Sequence, residues 1–127
     1  MIFPASLNSL HEMLQLICLE ARMAGFEDIK LNQIELALEE ALVNIIKHGY
    51  LNSAGPIEIQ CTVLPHPGIK FVLIDKGIPY NPLLNTQKNA HTVSMGGYGV
   101  YLMRKLMDQA EYEYKDGLNF LSLTKFN

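Results

Sequence analysis

The sequence predicts an α+β fold, a two-layer sandwich in which a mixed, mainly antiparallel sheet is covered on one face by helices. Three observations predict it. Two helical patterns come first, two strand pairs broken by turn residues follow, and a third helical pattern lies between those pairs. At 127 residues, 49% hydrophobic and 18% charged, the chain can bury one sizeable core and is too short for two ordinary domains, so a single domain over 1–127 is expected.

The elements follow in order. Ser9 with Glu12 three residues later reads as a capping box, and Leu10, Met13, Leu14, Ile17 and Cys18 recur at helical spacing until Gly25 offers a stop. From Asp28 or Leu31 to His48 a longer helix is expected, with Ile34, Leu38, Ala41, Leu42 and Ile45 on one stripe and Gly49 ending it. Pro56 to Leu64 alternates, Pro65-His66-Pro67-Gly68 breaks the run, and Lys70 to Ile74 resumes it, which predicts an antiparallel hairpin. Between Pro79 and Met95 lies a stretch without periodicity, longer than most connections, of the kind that is functional or mobile. Val100, Leu102, Met103, Leu106 and Met107 mark a helix entered from a glycine turn, and Ala110–Lys115, Asp116-Gly117 and Leu118–Phe126 predict a closing hairpin.

Charge and cysteine usage narrow the function classes. A net charge of −3 argues against a binder that works by neutralising nucleic-acid phosphates, which needs a basic surface. Cys18 and Cys61 stand apart among apolar neighbours, without metal or redox spacing, and read as buried free thiols in a reducing cytoplasm. The first residues carry no basic lead, and no run approaches the roughly 18 apolar residues of a membrane span, so a soluble cytoplasmic protein is expected. His11, His66 and His91 have no ligand-spaced partner, and the methionines of the outer helices read as core.

Three short segments carry chemistry. On a helix advancing about 100° per residue, Glu40, Asn44 and His48 line up beside the apolar stripe, while Glu39 falls on the other flank. The Asn44 oxygen can complete an octahedral Mg²⁺ shell built mainly from phosphates and waters, Glu40 can accept a proton from an attacking hydroxyl, and Lys47 can reach a phosphate. Taken alone, such residues are as readily a solvated face. Asp75 closes a strand where its carboxylate could accept from the exocyclic amine of adenine, with Gly77 letting the ring approach; a plain Asp-x-Gly turn explains the same residues. Gly96-Gly97-Tyr98-Gly99 opens a helix, where free N–H groups and the dipole attract phosphate, although neither the Walker nor the dinucleotide spacing is present.

Taken together, Glu40-Ala41-Leu42-Val43-Asn44 with His48-Gly49-Tyr50, Asp75-Lys76-Gly77-Ile78-Pro79, and Gly96-Gly97-Tyr98-Gly99-Val100-Tyr101-Leu102 resemble the N, G1 and G2 boxes of the GHKL superfamily of ATPases and kinases. Within it the likeness is to small bacterial anti-sigma factor serine kinases, whose single domain begins with a strand and helix and ends with a hairpin. The resemblance implies a Bergerat-type ATP-binding fold with ATP and Mg²⁺. Asn44 would hold the metal, Asp75 would bond the adenine amine, and Gly77 would line the base pocket. Gly97, Tyr98, Gly99 and Val100 would surround the phosphates, and Pro82 to Met95 would be the ATP lid. Glu40 would be the general base toward a serine on an anti-anti-sigma partner, and the chain would also sequester a sigma factor and pair as a homodimer. It departs from the family in two places. A threonine that often follows the last hairpin's glycine and contacts phosphate is absent, leaving Asn119 as its stand-in, and Met95 precedes the double glycine.

Two other functions fit the same residues: a nucleotide-gated partner-switch module without kinase activity, and a detached ATP-binding domain of a histidine-kinase system. The second would need a histidine-bearing helical partner.

Overall fold

A computed structural model describes residues 1–84 and 97–127, with the backbone alone for 97–100. Strand β1 (Ile2–Pro4) leads into helix α1 (Leu7–Met23) and helix α2 (Asp28–Asn44), which continues as a π turn over Ile45–Gly49. Strands β2 (Pro56–Val63) and β3 (Gly68–Asp75), helix α3 (Gly97–Leu106), and strands β4 (Gln109–Lys115) and β5 (Leu118–Phe126) follow. Pro82–Leu84 forms a short 3₁₀ turn after β3. The remainder of the expected lid, with Gly96, Met95 and His91, lies outside the described residues.

The five strands form one sheet in the order β1-β2-β3-β5-β4. Each of the four pairings is antiparallel, so the sheet is not mixed among the described residues. β2 and β3 are a hairpin, and β4 and β5 are another. The second hairpin inserts β5 beside β3 and leaves β4 at the edge.

Alternation along the strands sets the two faces. Ile57, Ile59, Ile69, Phe71, Leu73, Leu121 and Leu123 point inward and join Met13, Ile17, Ile34, Leu38, Leu42 and Met103 in one core. The opposite face carries Glu58, Gln60, Lys70, Val72 and Ser122, all exposed or half-buried. The helices therefore cover one side only.

Local sequence accounts for the element ends. Helix α1 starts one turn earlier than the Ser9–Glu12 box predicts: Ser6 is the N-cap, and Ser9 is buried inside the first turn with its Oγ 3.3 Å from that of Ser6. At its other end Gly25 has φ +98°. Phe26 N–H donates to Ala21 O at 3.1 Å and Gly25 N–H to Arg22 O at 3.0 Å, the paired bonds of a Schellman stop. The last hairpin turns through Asp116 and Gly117, both at positive φ (54° and 79°), the backbone a two-residue type I′ turn requires.

Candidate functional site

The site forms where the C-terminal end of α2 meets the end of β3. Glu40 is half-buried at the rim. One turn on, Asn44 is 5% exposed, and its Nδ2 is the one buried side-chain polar atom without a partner among the described residues. Leaving such a group unpaired costs about 1–3 kcal/mol, so a buried orphan on a cleft wall is unused capacity to bind.

Immediately after Asn44 the helix widens. Tyr50 N–H donates to Ile45 O at 2.9 Å, an i→i+5 bond that closes the π turn. His48, inside that turn, packs against Tyr80, with ring centroids 5.7 Å apart. Lys47 is exposed, and its charge acts on Glu40. Burial pushes the Glu40 carboxyl above the ordinary range, the neighbouring Glu39 pushes it further, and Lys47 opposes both.

Asp75, 5% exposed, forms the facing wall. Its Oδ1 accepts from Gly77 N–H at 2.9 Å and from Asn119 Nδ2 at 3.0 Å. The Asp-x-Gly turn is thus real, and it fixes the carboxylate in place. Burial raises the Asp75 pKa, while these two donors pull it down.

Gly77 is required by a backbone approach. A Cβ there would stand 2.5 Å from Gly49 O, where Ile78 N–H donates at 3.0 Å. Gly49, at the end of the π turn, and Gly77 therefore join the two walls main chain to main chain. Tyr50 adds a second tie: its hydroxyl donates to Pro56 O at 2.6 Å and accepts from Lys76 N–H at 2.7 Å.

The Asn119 side chain is committed to the cleft wall, with its amide N–H groups on Asp75, Gly77 and Ile78. It faces Asp75 directly in the β3–β5 register, which corrects the expectation that it replaces a phosphate-contacting threonine. Tyr112, inward-facing on β4, donates to Asn119 Oδ1 and accepts from Tyr80 N–H at 3.2 Å. No role for Tyr112 or Tyr80 follows from the sequence. The available signal was alternation on β4, which puts Tyr112 on the inner face, but it names no partner.

Asn44, Asp75, Tyr80, Tyr112 and Asn119 border a cavity of about 20 Å³, room for one water molecule. Gly97, Tyr98, Gly99 and Val100 form the first turn of α3. Cys18 and Cys61 are free and half-buried rather than fully buried, and burial pushes the Cys61 thiol up to about 11. Among the described residues no three His, Cys, Asp or Glu side chains cluster as a metal site, and no helix is long and apolar enough to cross a membrane.

This is an ATPase-type two-layer sandwich with a polar cleft between a helix end and a strand end. Residues 3–125 match the histidine kinase-like ATPase domain, and the chain belongs to that family. It is 29% identical over 117 residues to the serine-protein kinase RsbW of Bacillus licheniformis, covering 84% of this chain and 71% of that protein. Against RsbW of Staphylococcus aureus strain JH9 it is 31% identical over 113 residues, covering 81% and 69%. The histidine kinase domain of the Erythrobacter litoralis EL346 blue-light activated histidine kinase superposes with a TM-score of 0.58 at 14% identity; the match covers 91% of this chain and 60% of that one. At that identity the likeness concerns the fold.

Proposed function

We propose that residues 1–127 act as one ATP-dependent serine-protein kinase domain, with Glu40 as general base. The observation that carries this is the placement of Glu40 at the rim, one helical turn before the unpartnered Asn44 amide, with the Asp75 carboxylate on the facing wall. Asp75 would accept from the adenine amine beside Gly77. Lys47 and the first turn of α3, with Gly97, Tyr98, Gly99 and Val100, would meet the phosphates.

The unpartnered atom of Asn44 is Nδ2, a donor suited to a phosphate oxygen rather than to a cation, and the described residues supply no cluster of acidic ligands. Mg²⁺ therefore enters through the family resemblance: the Asn44 oxygen would hold it together with phosphates and waters, and it would neutralise charge on the transferred phosphoryl group. Glu40 would take the proton of the attacking serine hydroxyl. Burial and the neighbouring Glu39 raise its pKa, which makes it a better base than an ordinary exposed carboxylate.

The resemblance to anti-sigma factor kinases extends the proposal to partners: an anti-anti-sigma protein that presents the serine, a sigma factor held in its absence, a second copy of the chain, and a cytoplasmic setting. Glu40→Gln is the test. It should bind Mg-ATP with an unchanged Kd and lose phosphoserine formation on the antagonist by about a hundredfold or more, the scale of general-base catalysis. An undiminished rate would remove Glu40 as the base. A stable ATP-dependent complex without phosphate transfer by the unmodified chain would favour a nucleotide-gated binding module.

A further inference from the structure

The most completely bonded side chain of the site is one that the kinase proposal leaves without a role. Asn119 is 4% exposed. Its Nδ2 donates to Asp75 Oδ1 at 3.0 Å, to Ile78 O at 3.1 Å and to Gly77 O at 3.2 Å. Its Oδ1 accepts from the Tyr112 hydroxyl and, at 3.4 Å, from Tyr80 N–H. A carboxamide has two N–H donors and two lone pairs, so three acceptors share the two N–H groups and no bonding capacity is left over. Every bond goes to the 75–80 segment or to the Tyr112 hydroxyl that backs it.

The consequence falls on Asp75. Both of its hydrogen bonds, from Gly77 N–H and from Asn119, end on Oδ1, and no described residue donates to Oδ2. One oxygen is anchored and one is left. An aspartate held in this way cannot turn its carboxylate plane without breaking a buried bond. A carboxylate free to rotate would instead offer a base amine a spread of geometries and lose binding energy to ordering.

We propose that Asn119 is a positioning residue for base recognition: it anchors Asp75 Oδ1 and the turn after it, so that Oδ2 is presented to the exocyclic amine of the nucleotide base. Tyr112 supports it from behind by holding Oδ1 of the amide. This rests on the reading of Asp75 as the base-reading residue. A merely structural Asn119 would lower binding of every nucleotide alike; a positioning Asn119 acts on the amine alone.

The test is a ratio. Calorimetric titration gives Kd for Mg-ATP and for Mg-ITP, whose base carries a carbonyl in place of the amine, on the unmodified chain, Asn119→Ala, Asn119→Asp and Tyr112→Phe. Taking both nucleotides on one preparation cancels any loss of folded protein. The unmodified chain should prefer ATP. Asn119→Ala should reduce that preference by about tenfold, the scale of one well-placed hydrogen bond. The isosteric Asn119→Asp should reduce it at least as much, since it replaces the donor with a second carboxylate. Tyr112→Phe, which leaves the Asp75–Asn119 pair in place, should reduce it less and keeps the test available if both Asn119 variants fail to fold. An unmodified chain that binds ITP as well as ATP removes the base-reading role of Asp75 and this proposal with it. A chain that discriminates, and whose Asn119 variants (or Tyr112→Phe, if it alone folds) keep the full ratio, removes the role of Asn119 alone.

Discussion

Replacing Gly77 by alanine tests whether the two walls of the site are joined by backbone contact. The added Cβ would lie 2.5 Å from Gly49 O, 2.6 Å from Gly49 C and 3.0 Å from Asp75 Oδ1. Two of these atoms are main chain, so no flexible side chain can yield. Either the turn after β3 or the end of the π turn must shift. Overpacking of this kind costs about 1–3 kcal/mol, and straining the Ile78–Gly49 bond adds about 1 kcal/mol. A total near 3 kcal/mol should lower Tm by about 10 °C for a chain of this size. Gly117→Ala is the control: its φ of +79° makes alanine strained, but nothing lies within 4 Å of the new Cβ. That substitution should cost about 1–2 kcal/mol and leave Mg-ATP binding unchanged. Far-UV circular dichroism melting and calorimetric titration with Mg-ATP read both effects. If Gly77→Ala melts within about 2 °C of the unmodified chain and binds Mg-ATP equally well, the contact does not constrain the site.

The remaining expectations concern charge. As a base, Glu40 must be ionised, so phosphoryl transfer should fall as pH drops through its pKa, which lies above the ordinary value. Glu39→Gln removes a like charge and should move this acid limb to lower pH; Lys47→Ala removes the opposing cation and should move it to higher pH, both seen in kcat against pH. A limb that ignores both substitutions assigns it to another group. For Asp75 the folded pKa is raised, so the folded state binds the proton more tightly than the unfolded chain. Stability therefore falls as pH rises from the unfolded pKa through the folded one, and the ionised group is a net cost at neutral pH. Asp75→Asn keeps an oxygen for Gly77 and Asn119, so it should leave Tm equal or higher while abolishing the preference for adenine. A large loss of Tm would mean that the charge itself holds the fold.

Much of the architecture is legible because it is local. Alternation between Pro56 and Ile74, the positive-φ pair Asp116-Gly117, and the stripe from Ile34 to Ile45 each specify an element within a few residues of themselves. The misplaced start of α1 is also local, since Ser6 and Ser9 are both competent caps and only packing buries one of them. The π turn leaves no trace, because Ile45 and Ile46 extend the apolar stripe as a regular helix would. Asn119 was misassigned for a different reason. Counting from Gly117 gives a place on a hairpin, but which wall that place faces is set by the β3–β5 register, a pairing across 44 residues that no short pattern encodes.

The two walls meet at the π turn. His48 within it packs on Tyr80, and Gly49 O at its end accepts from Ile78 N–H. That bond is possible only because residue 77 has no side chain, and the turn carrying it is fixed from the far side by Asn119. Gly49, Gly77 and Asn119 thus act as one joint between the segment that offers Asn44 and the segment that offers Asp75. The two polar side chains that a nucleotide would span are set by main-chain contacts rather than by contact with each other. Each can therefore keep bonding capacity unspent, Nδ2 on Asn44 and Oδ2 on Asp75, in a site otherwise satisfied.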